Sequence, residues 1–318
     1  MCGFYAGTST NQLITKENYS HQIRAALKDY DMSEFPIVGI YNAGNLLSEK
    51  EVPSDALAEI CSIIAQEPNV KRVLVESKLE YIDPNKFKEM QRLLGDIKIE
   101  LGVGVETMNE KVRDLCINKP FPNALLEKKV ELLHSIGVIP KAYLLFKPPF
   151  LTEQEAIDDF VNSVKGLREL GVHDIDCESM TIQKHTLVEE LWNRDLYRVP
   201  WLWSLISMID RTTTKDYPPV YLTPFRYNVS SLDSPRNCSV CTDRVTDAIF
   251  DYQKGVLPKD ELLNITCDCK QTWEESLAEQ DNRPLEERVL DTIALLKDDV
   301  TPASFQQSEL IQLSSEQM

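Results

Sequence analysis

Five short apolar, β-branched runs recur along the chain, and each is followed by residues at helical spacing. They are FPIVGIYNA at 35–43, VKRVLVESK at 70–78, IKIELGVGVE at 97–106, GVIPKAYLLFK at 137–147 and GVHDIDCESM at 171–180. The intervals, roughly 30 to 40 residues, leave room for one crossover helix each, which is the pattern of parallel βα units. Leu57, Ile60, Cys61 and Ile64 share one helical face after Pro53-Ser54, and Ala156, Ile157, Phe160, Val161 and Val164 share another. Thr152 and Glu155 have the spacing of a capping box, and Asp83-Pro84 places a cap before a proline at the first helical position. Gly137 and Gly171 stand where helix ends hand over to strands.

At 318 residues the chain can be one α/β barrel with an appendage, or two domains. After residue 186 the character changes. Trp192, Trp201 and Trp203 cluster, a loop rich in Thr, Pro and Tyr runs to about 235, and a cysteine-bearing segment precedes an acidic helical stretch at 271–297. The expected division is a barrel at 1–205, a Cys-rich module at 206–297 and a Ser- and Gln-rich disordered tail at 298–318.

Parallel sheets place their chemistry in the loops after the strands. Polar residues expected there are Tyr41, Asn42 and Asn45, then Glu76 and Ser77, then Glu100, Glu106 and Thr107, then Lys147 and residues 178–183. With 34 Lys+Arg against 51 Asp+Glu, the net charge is −17, which speaks against a nucleic-acid surface built by this chain alone. No apolar run approaches the roughly 20 residues that span a bilayer, and MCGFYAGTST lacks the regions of a signal peptide, so no membrane partner and a cytoplasmic location are expected.

In that compartment the eight cysteines are not a disulfide framework. Cys61, Cys116 and Cys177 fall on apolar faces and read as small core residues. Cys238-x-x-Cys241 and Cys267-x-Cys269 are two close pairs that can present four thiolates to one tetrahedral ion, with zinc favoured over an iron-sulfur cluster. The bland alternative is a set of redox thiols. A structural zinc would explain how an appendage with little apolar sequence stays folded. Cys2 admits an N-terminal nucleophile, exposed on removal of Met1 as in class II glutamine amidotransferases, but that chemistry needs an antiparallel layered fold.

Taken in order, MCGFY, YNAGNLLSEKEVP, VLVESKLEYID, IELGVGVETMNEKVRDLCINKPF, KAYLLFKPPFLTEQEAIDD, QKHTLVEELWNRDLYRVPWLWS and the NCSVC and CDC segments resemble the radical S-adenosylmethionine superfamily. The similarity is to its archaeosine-biosynthesis branch, related to the catalytic subunit of elongator. It implies a partial (βα) barrel that binds a [4Fe-4S] cluster and S-adenosylmethionine. The working enzyme would cleave the cosubstrate reductively to a 5′-deoxyadenosyl radical, acting on a lysine adduct of a 7-deazaguanine in tRNA. It also implies a reductant protein such as a ferredoxin or flavodoxin, and tRNA contacts supplied by a partner subunit.

By that resemblance Cys2 is the last cysteine of a C-x-x-x-C-x-x-C loop, and the first two cysteines and the strand before them are missing. The expectation is a chain short of one strand and a complete ligand set, with 35–43 as an exposed sheet edge. Asn42, Gly44 and Asn45 match the segment near the cosubstrate amine. Gly44 also permits close backbone approach. Glu76 and Ser77 match the third strand end, and Glu100, Gly102, Glu106 and Thr107 match a motif suited to the ribose hydroxyls or the sulfonium. Lys147-Pro148-Pro149 match the fifth strand end and 183–186 the sixth, where His185 replaces a usual glycine. The competing reading is a zinc-binding interaction module without catalysis.

Overall fold

The computed structural model describes residues 3, 14–42, 44–225, 231–278, 281 and 283–298. Cys2 and the expected tail beyond Asp298 lie outside the described residues.

Six strands form one parallel sheet in the order β1-β2-β3-β4-β5-β6. They are β1 (Ile37–Ile40), β2 (Arg72–Glu76), β3 (Lys98–Glu106), β4 (Ile139–Phe146), β5 (Asp174–Ser179) and β6 (Tyr221–Leu222). Sequence order equals spatial order, so the sheet curls as a half-barrel with its crossover helices outside. The first five strands are those read from the apolar runs; β6 is two residues long, too short for any periodicity.

The helices are α1 (Lys16–Asp29), α2 (Ser54–Ile64), α3 (Pro84–Leu94), α4 (Glu110–Leu115), α5 (Asn123–Ser135), α6 (Glu153–Glu169), α7 (Leu187–Asn193) and α8 (Leu202–Thr212), followed by α9 (Thr242–Gln253), α10 (Lys259–Leu263), α11 (Cys269–Ala278) and α12 (Leu285–Asp298). Asp83 caps α3 ahead of Pro84, and Thr152 with Glu155 forms a complete capping box on α6. Gly137 and Gly171 take φ of 72° and 83°, the left-handed turn by which α5 and α6 pass into β4 and β5. The acidic stretch expected at 271–297 divides into α11 and α12.

Val73, Val75, Ile99, Leu101, Val103, Val105, Ala142, Leu144, Phe146, Ile175 and Cys177 face the helices and are buried. The same hydrophobic cluster continues through Trp203 and Leu205 of α8 into Cys241, Val245, Ile249 and Trp273. α8 itself crosses position 205. β1 pairs only with β2 among the described residues, and Ile37 and Tyr41 are 51% and 63% exposed. Among the described residues β1 is thus the edge of the sheet. No described helix is long and apolar enough to cross a membrane.

Candidate functional site

The alternate residues of the strands, which point away from the helices, include many charged or aromatic side chains: Arg72 and Glu76 on β2, Glu100 on β3, Lys141 and Tyr143 on β4, and Asp174, Asp176 and Glu178 on β5. A parallel sheet covered on both faces carries apolar side chains on both, so this alternation marks an inner face that receives something polar. Lys141 donates to Asp174 and Asp176, each at 2.7 Å; burial works against its charge, but the two carboxylates raise its pKa overall. Burial raises the pKa of Glu76, with Glu178 and Asp176 adding repulsion against the opposing Tyr143 hydroxyl. Burial likewise raises Glu178, which accepts from Thr223 Oγ1 at 2.7 Å. The Tyr143 hydroxyl is buried beside Glu76 without a well-formed hydrogen bond, and its pKa is pushed well up, by burial first. Lys141, Tyr143 and Asp176 escaped the sequence reading. Their signal was there as Lys141 and Tyr143 in one apolar run, and Asp174, Asp176 and Glu178 in the next, spaced two residues apart.

The expected site residues separate into two groups. Asn42, Gly44, Asn45, Glu76, Ser77 and Glu106 lie at or just beyond strand C-terminal ends. Asn45 is buried and its Oδ1 accepts from Ser77 Oγ at 2.7 Å and Lys78 N at 2.9 Å, tying the loops after β1 and β2 together. Glu51 organises the first of these loops, accepting from Asn45 N at 2.5 Å and Asn42 Nδ2 at 3.3 Å. A Cβ on Gly44 would stand 1.7 Å from Glu51 Oε2, so any side chain there would displace this carboxylate. Asn42 Oδ1 is buried without a partner.

Glu100 lies inside its strand and not in the loop after it. It is the third residue of a nine-residue strand, remote from the strand end, and forms a 2.8 Å ion pair with Arg72. Thr107 is buried, with Oγ1 donating to Asp159 at 3.0 Å, and so faces α6. Lys147 is buried against Glu153 and donates to Arg198 O at 3.0 Å. It holds the fold together. His185 has φ of 60°, the conformation for which the glycine expected at this place is free of strain. Gly3 N–H donates to Gln183 Oε1, in the loop after β5.

The second site is the cysteine group. Sγ of Cys238 lies 3.7 Å from those of Cys241 and Cys267, and Sγ of Cys241 lies 3.6 Å from that of Cys269. All four lie within 4.8 Å of one another. A tetrahedral ion with Zn–S bonds of about 2.3 Å requires sulfurs about 3.8 Å apart, so the donor set fits a closed four-thiolate site. Backbone bonds from Cys241 N and Thr242 N to Cys238 O shape the first pair into a knuckle, and Trp203 Nε1 donates to Cys269 Sγ at 3.4 Å. Cys61, Cys116 and Cys177 are buried in the core, where burial pushes the first two thiols up to about 12 and the third well above its ordinary value.

No family model matches the chain. It is 31% identical over 281 residues to archaeosine synthase subunit beta of Methanosarcina acetivorans, covering 88% of this chain and 80% of that protein. The chain belongs to the archaeosine synthase subunit beta family. The subunit of the same name from Thermococcus kodakarensis is 29% identical, over 82% of this chain and 80% of its own length. An uncharacterised Methanocaldococcus jannaschii protein is 33% identical, over 86% and 75% respectively. Among solved structures, an N-terminally deleted Elp3 of Methanocaldococcus infernus matches with a TM-score of 0.54 at 14% identity. It shares the fold over 75% of this chain, which spans 59% of that structure. The resemblance read from the sequence to the archaeosine branch thus holds for family and fold, and the parallel sheet excludes the antiparallel layers of an amidotransferase.

Proposed function

We propose that this chain is the cosubstrate-binding part of a radical S-adenosylmethionine protein that modifies a 7-deazaguanine base of tRNA, in the archaeosine manner. The observation that carries this reading is the convergence of Glu76, Asp176 and Glu178 on the open inner face of a parallel half-barrel in a chain of this family. S-Adenosylmethionine brings a sulfonium, an ammonium and ribose hydroxyls. Carboxylates of raised pKa gain from an incoming cation, and the buried, unpartnered Asn42 Oδ1 is available to a ligand atom. Asn42, Glu76, Glu106 and Glu178 are the residues that would hold it, while Asn45, Ser77 and Gly44 fix the loops that carry them. In an assembly whose cluster delivers one electron, the cosubstrate's C–S bond would break to release methionine and leave the 5′-deoxyadenosyl radical, which would take a hydrogen atom from substrate. The chain's residues orient it and screen it from water.

The residues of this chain do not fit a [4Fe-4S] cluster at the strand ends. Such a cluster needs three thiolates there, and with four cysteines in the metal group and three in the core, Cys2 alone is uncommitted. No step is assigned to it. A ferredoxin or flavodoxin would serve only an assembly that completes the ligand set. A net charge of −17 disfavours a nucleic-acid surface on this chain, so most tRNA contacts would come from a partner subunit, in the cytoplasm. Isothermal titration of the full chain with S-adenosylmethionine tests the proposal. Binding that is lost in the Glu76→Gln, Glu178→Gln double variant is expected, and no binding by the wild type would overturn it. The four-thiolate group together with the single spare cysteine favours, as a second reading, a zinc-bearing interaction module. That outcome would show a full complement of zinc and no cosubstrate affinity.

A further inference from the structure

On the helix side of the sheet, α4 and α6 stand apart from the start of α12 and leave a cleft of about 700 Å³. This lies within the roughly 300–1,000 Å³ of small-molecule sites. None of the inner-face carboxylates lines it. Met108, Val112, Leu151 and Leu285 give it an apolar side, and Asp159, Asn162 and Ser163 of α6 a polar one.

The charges around this cleft are paired, with one exception. Arg288, which is buried, donates to both oxygens of Glu155, at 2.7 and 3.0 Å. Arg283 donates to Asp281 at 2.9 Å and to Asp291 at 2.6 Å, and Lys111 pairs with Glu286 at 2.6 Å. Asp158 accepts from Arg211 at 2.7 Å. Asp159 has no cation in ion-pair contact among the described residues; its donors are the neutral side chains of Thr107, at 3.0 Å, and Asn109. Arg113 attracts it from a distance, but that guanidinium is completely buried and spent on Thr107 O, Phe121 O and Asn123 Oδ1. Glu155 adds repulsion. The groups around Asp159 are fixed. Thr107 and Ser163 are each 1% exposed, their hydroxyl oxygens lie 3.2 Å apart, and Ser163 Oγ accepts from Met108 N at 2.9 Å.

A half-buried carboxylate without a counter-charge weakens the fold, as its raised pKa records. In a cleft, such a group marks a ligand site. The donor set narrows the ligand. A divalent metal seeks about six oxygens, and one unpaired carboxylate does not supply them. A guanidinium is matched by two free carboxylate oxygens, and Thr107 occupies Asp159 Oδ1. A primary ammonium is a compact point charge that needs only one carboxylate oxygen and neutral acceptors beside it. We propose that this cleft binds a primary alkylammonium group, with the charged head on Asp159, Asn162 as a second acceptor, and the methylene stem along Met108, Val112 and Leu285. The head belongs either to a free small amine or to a lysine side chain of a partner protein.

The test is ligand-observed NMR titration of the full chain with n-butylamine and with n-butanol, which keeps the shape but not the charge. n-Butylamine is expected to bind with a Kd of about 1 mM, and n-butanol roughly tenfold more weakly. Asp159→Asn should weaken n-butylamine by about tenfold and leave n-butanol unchanged, whereas Asp158→Asn, whose partner is the half-exposed Arg211, should stay within about twofold of wild type. Asp159→Asn removes an unfavourable buried charge, so the variant folds and its loss of binding is not a loss of structure. The blocked tripeptide N-acetyl-Gly-Lys-Gly-amide separates the two sources. Peptide binding within about threefold of n-butylamine assigns the ammonium to a partner's lysine, and weaker peptide binding assigns it to a free amine. Equal affinity for n-butylamine and n-butanol would overturn the proposal, as would full n-butylamine affinity in Asp159→Asn or the absence of saturable n-butylamine binding.

Discussion

The indole Nε1 of Trp203, a residue 2% exposed on α8, donates to Sγ of Cys269 at 3.4 Å. This bond joins the barrel's last long helix to the metal group. Hydrogen bonds to metal-bound thiolates withdraw charge and fix ligand orientation, and losing one such partner typically costs about 10- to 100-fold in metal affinity. Trp203→Phe keeps most of the packing and removes the donor. It should weaken zinc by that factor, measured by competition with a chromogenic chelator, while unchanged affinity would show the contact to be incidental.

The cysteine assignments make a sharper stoichiometric prediction. Purified protein should carry one zinc per chain, and Cys241→Ser should abolish it, because a closed site of four thiolates does not tolerate the loss of a buried ligand. Ser substitution at Cys61 or Cys116 should leave the metal content untouched. Elemental analysis of the three variants decides it. α9 and α11, which start at the two cysteine pairs, should lose protection from proteolysis when zinc is chelated.

These outcomes bear on what the sequence could reveal. Apolar runs and paired cysteines are local patterns, and local patterns predicted β1 to β5, the caps at Asp83 and Thr152, and the four-thiolate group. What escaped was set by contacts between distant segments. Glu100 gives no sign in the sequence of its ion pair with Arg72, on the preceding strand. Lys147 reads as a strand-end cation until Glu153 and Arg198 are seen to enclose it. Glu51 and Lys119 gave no signal, because nothing in their neighbourhood foretells a carboxylate filling the space over Gly44 or an ammonium reaching back over Gly104.

Gly44 offers a test of that hidden organiser. Its added methyl in Gly44→Ala would displace the Glu51 carboxylate, which then loses Asn45 N and Asn42 Nδ2. Two hydrogen bonds of this kind are worth about 1–3 kcal/mol together. The variant should melt several degrees lower and bind cosubstrate more weakly. Melting unchanged from wild type would show that Glu51 moves without cost.

Asp159 supplies a pH dependence with a definite sign. Burial raises its pKa to about 6 from 3.8, against the opposing hydrogen bonds of Thr107 and Asn109. Between those values the folded chain binds more protons than the unfolded one, so this group's contribution to stability falls as pH rises from about 4 to 6. Asp159→Asn keeps an acceptor for Thr107 and removes the charge. It should raise stability at pH 7.5 by on the order of 1–2 kcal/mol, leave it little changed at pH 4, and flatten the profile between. Urea denaturation at the two pH values measures this, and an equal effect at both would show that the charge is not what burial penalises.

Glu153 is the last junction to probe, because it serves the sheet and the metal group at once. Its carboxylate pairs with Lys147 at the end of β4, and Oε1 accepts from Trp201 N at 2.9 Å and Ser204 Oγ at 2.7 Å. Ser204 Oγ in turn accepts from Trp273 Nε1 of α11 at 2.8 Å. The Lys147 and Glu153 side chains are 8% and 4% exposed, so removing one charge strands the other in a medium that solvates it poorly. Glu153→Ala should therefore cost about 3–5 kcal/mol, while Lys147→Met with Glu153→Leu, which removes both charges, should recover much of that loss. Because the carboxylate also anchors Trp201 and Ser204, the double variant should still hold zinc less tightly than wild type even where its melting recovers. Parallel recovery of stability and zinc affinity would show that the two halves of this junction are not coupled through Glu153.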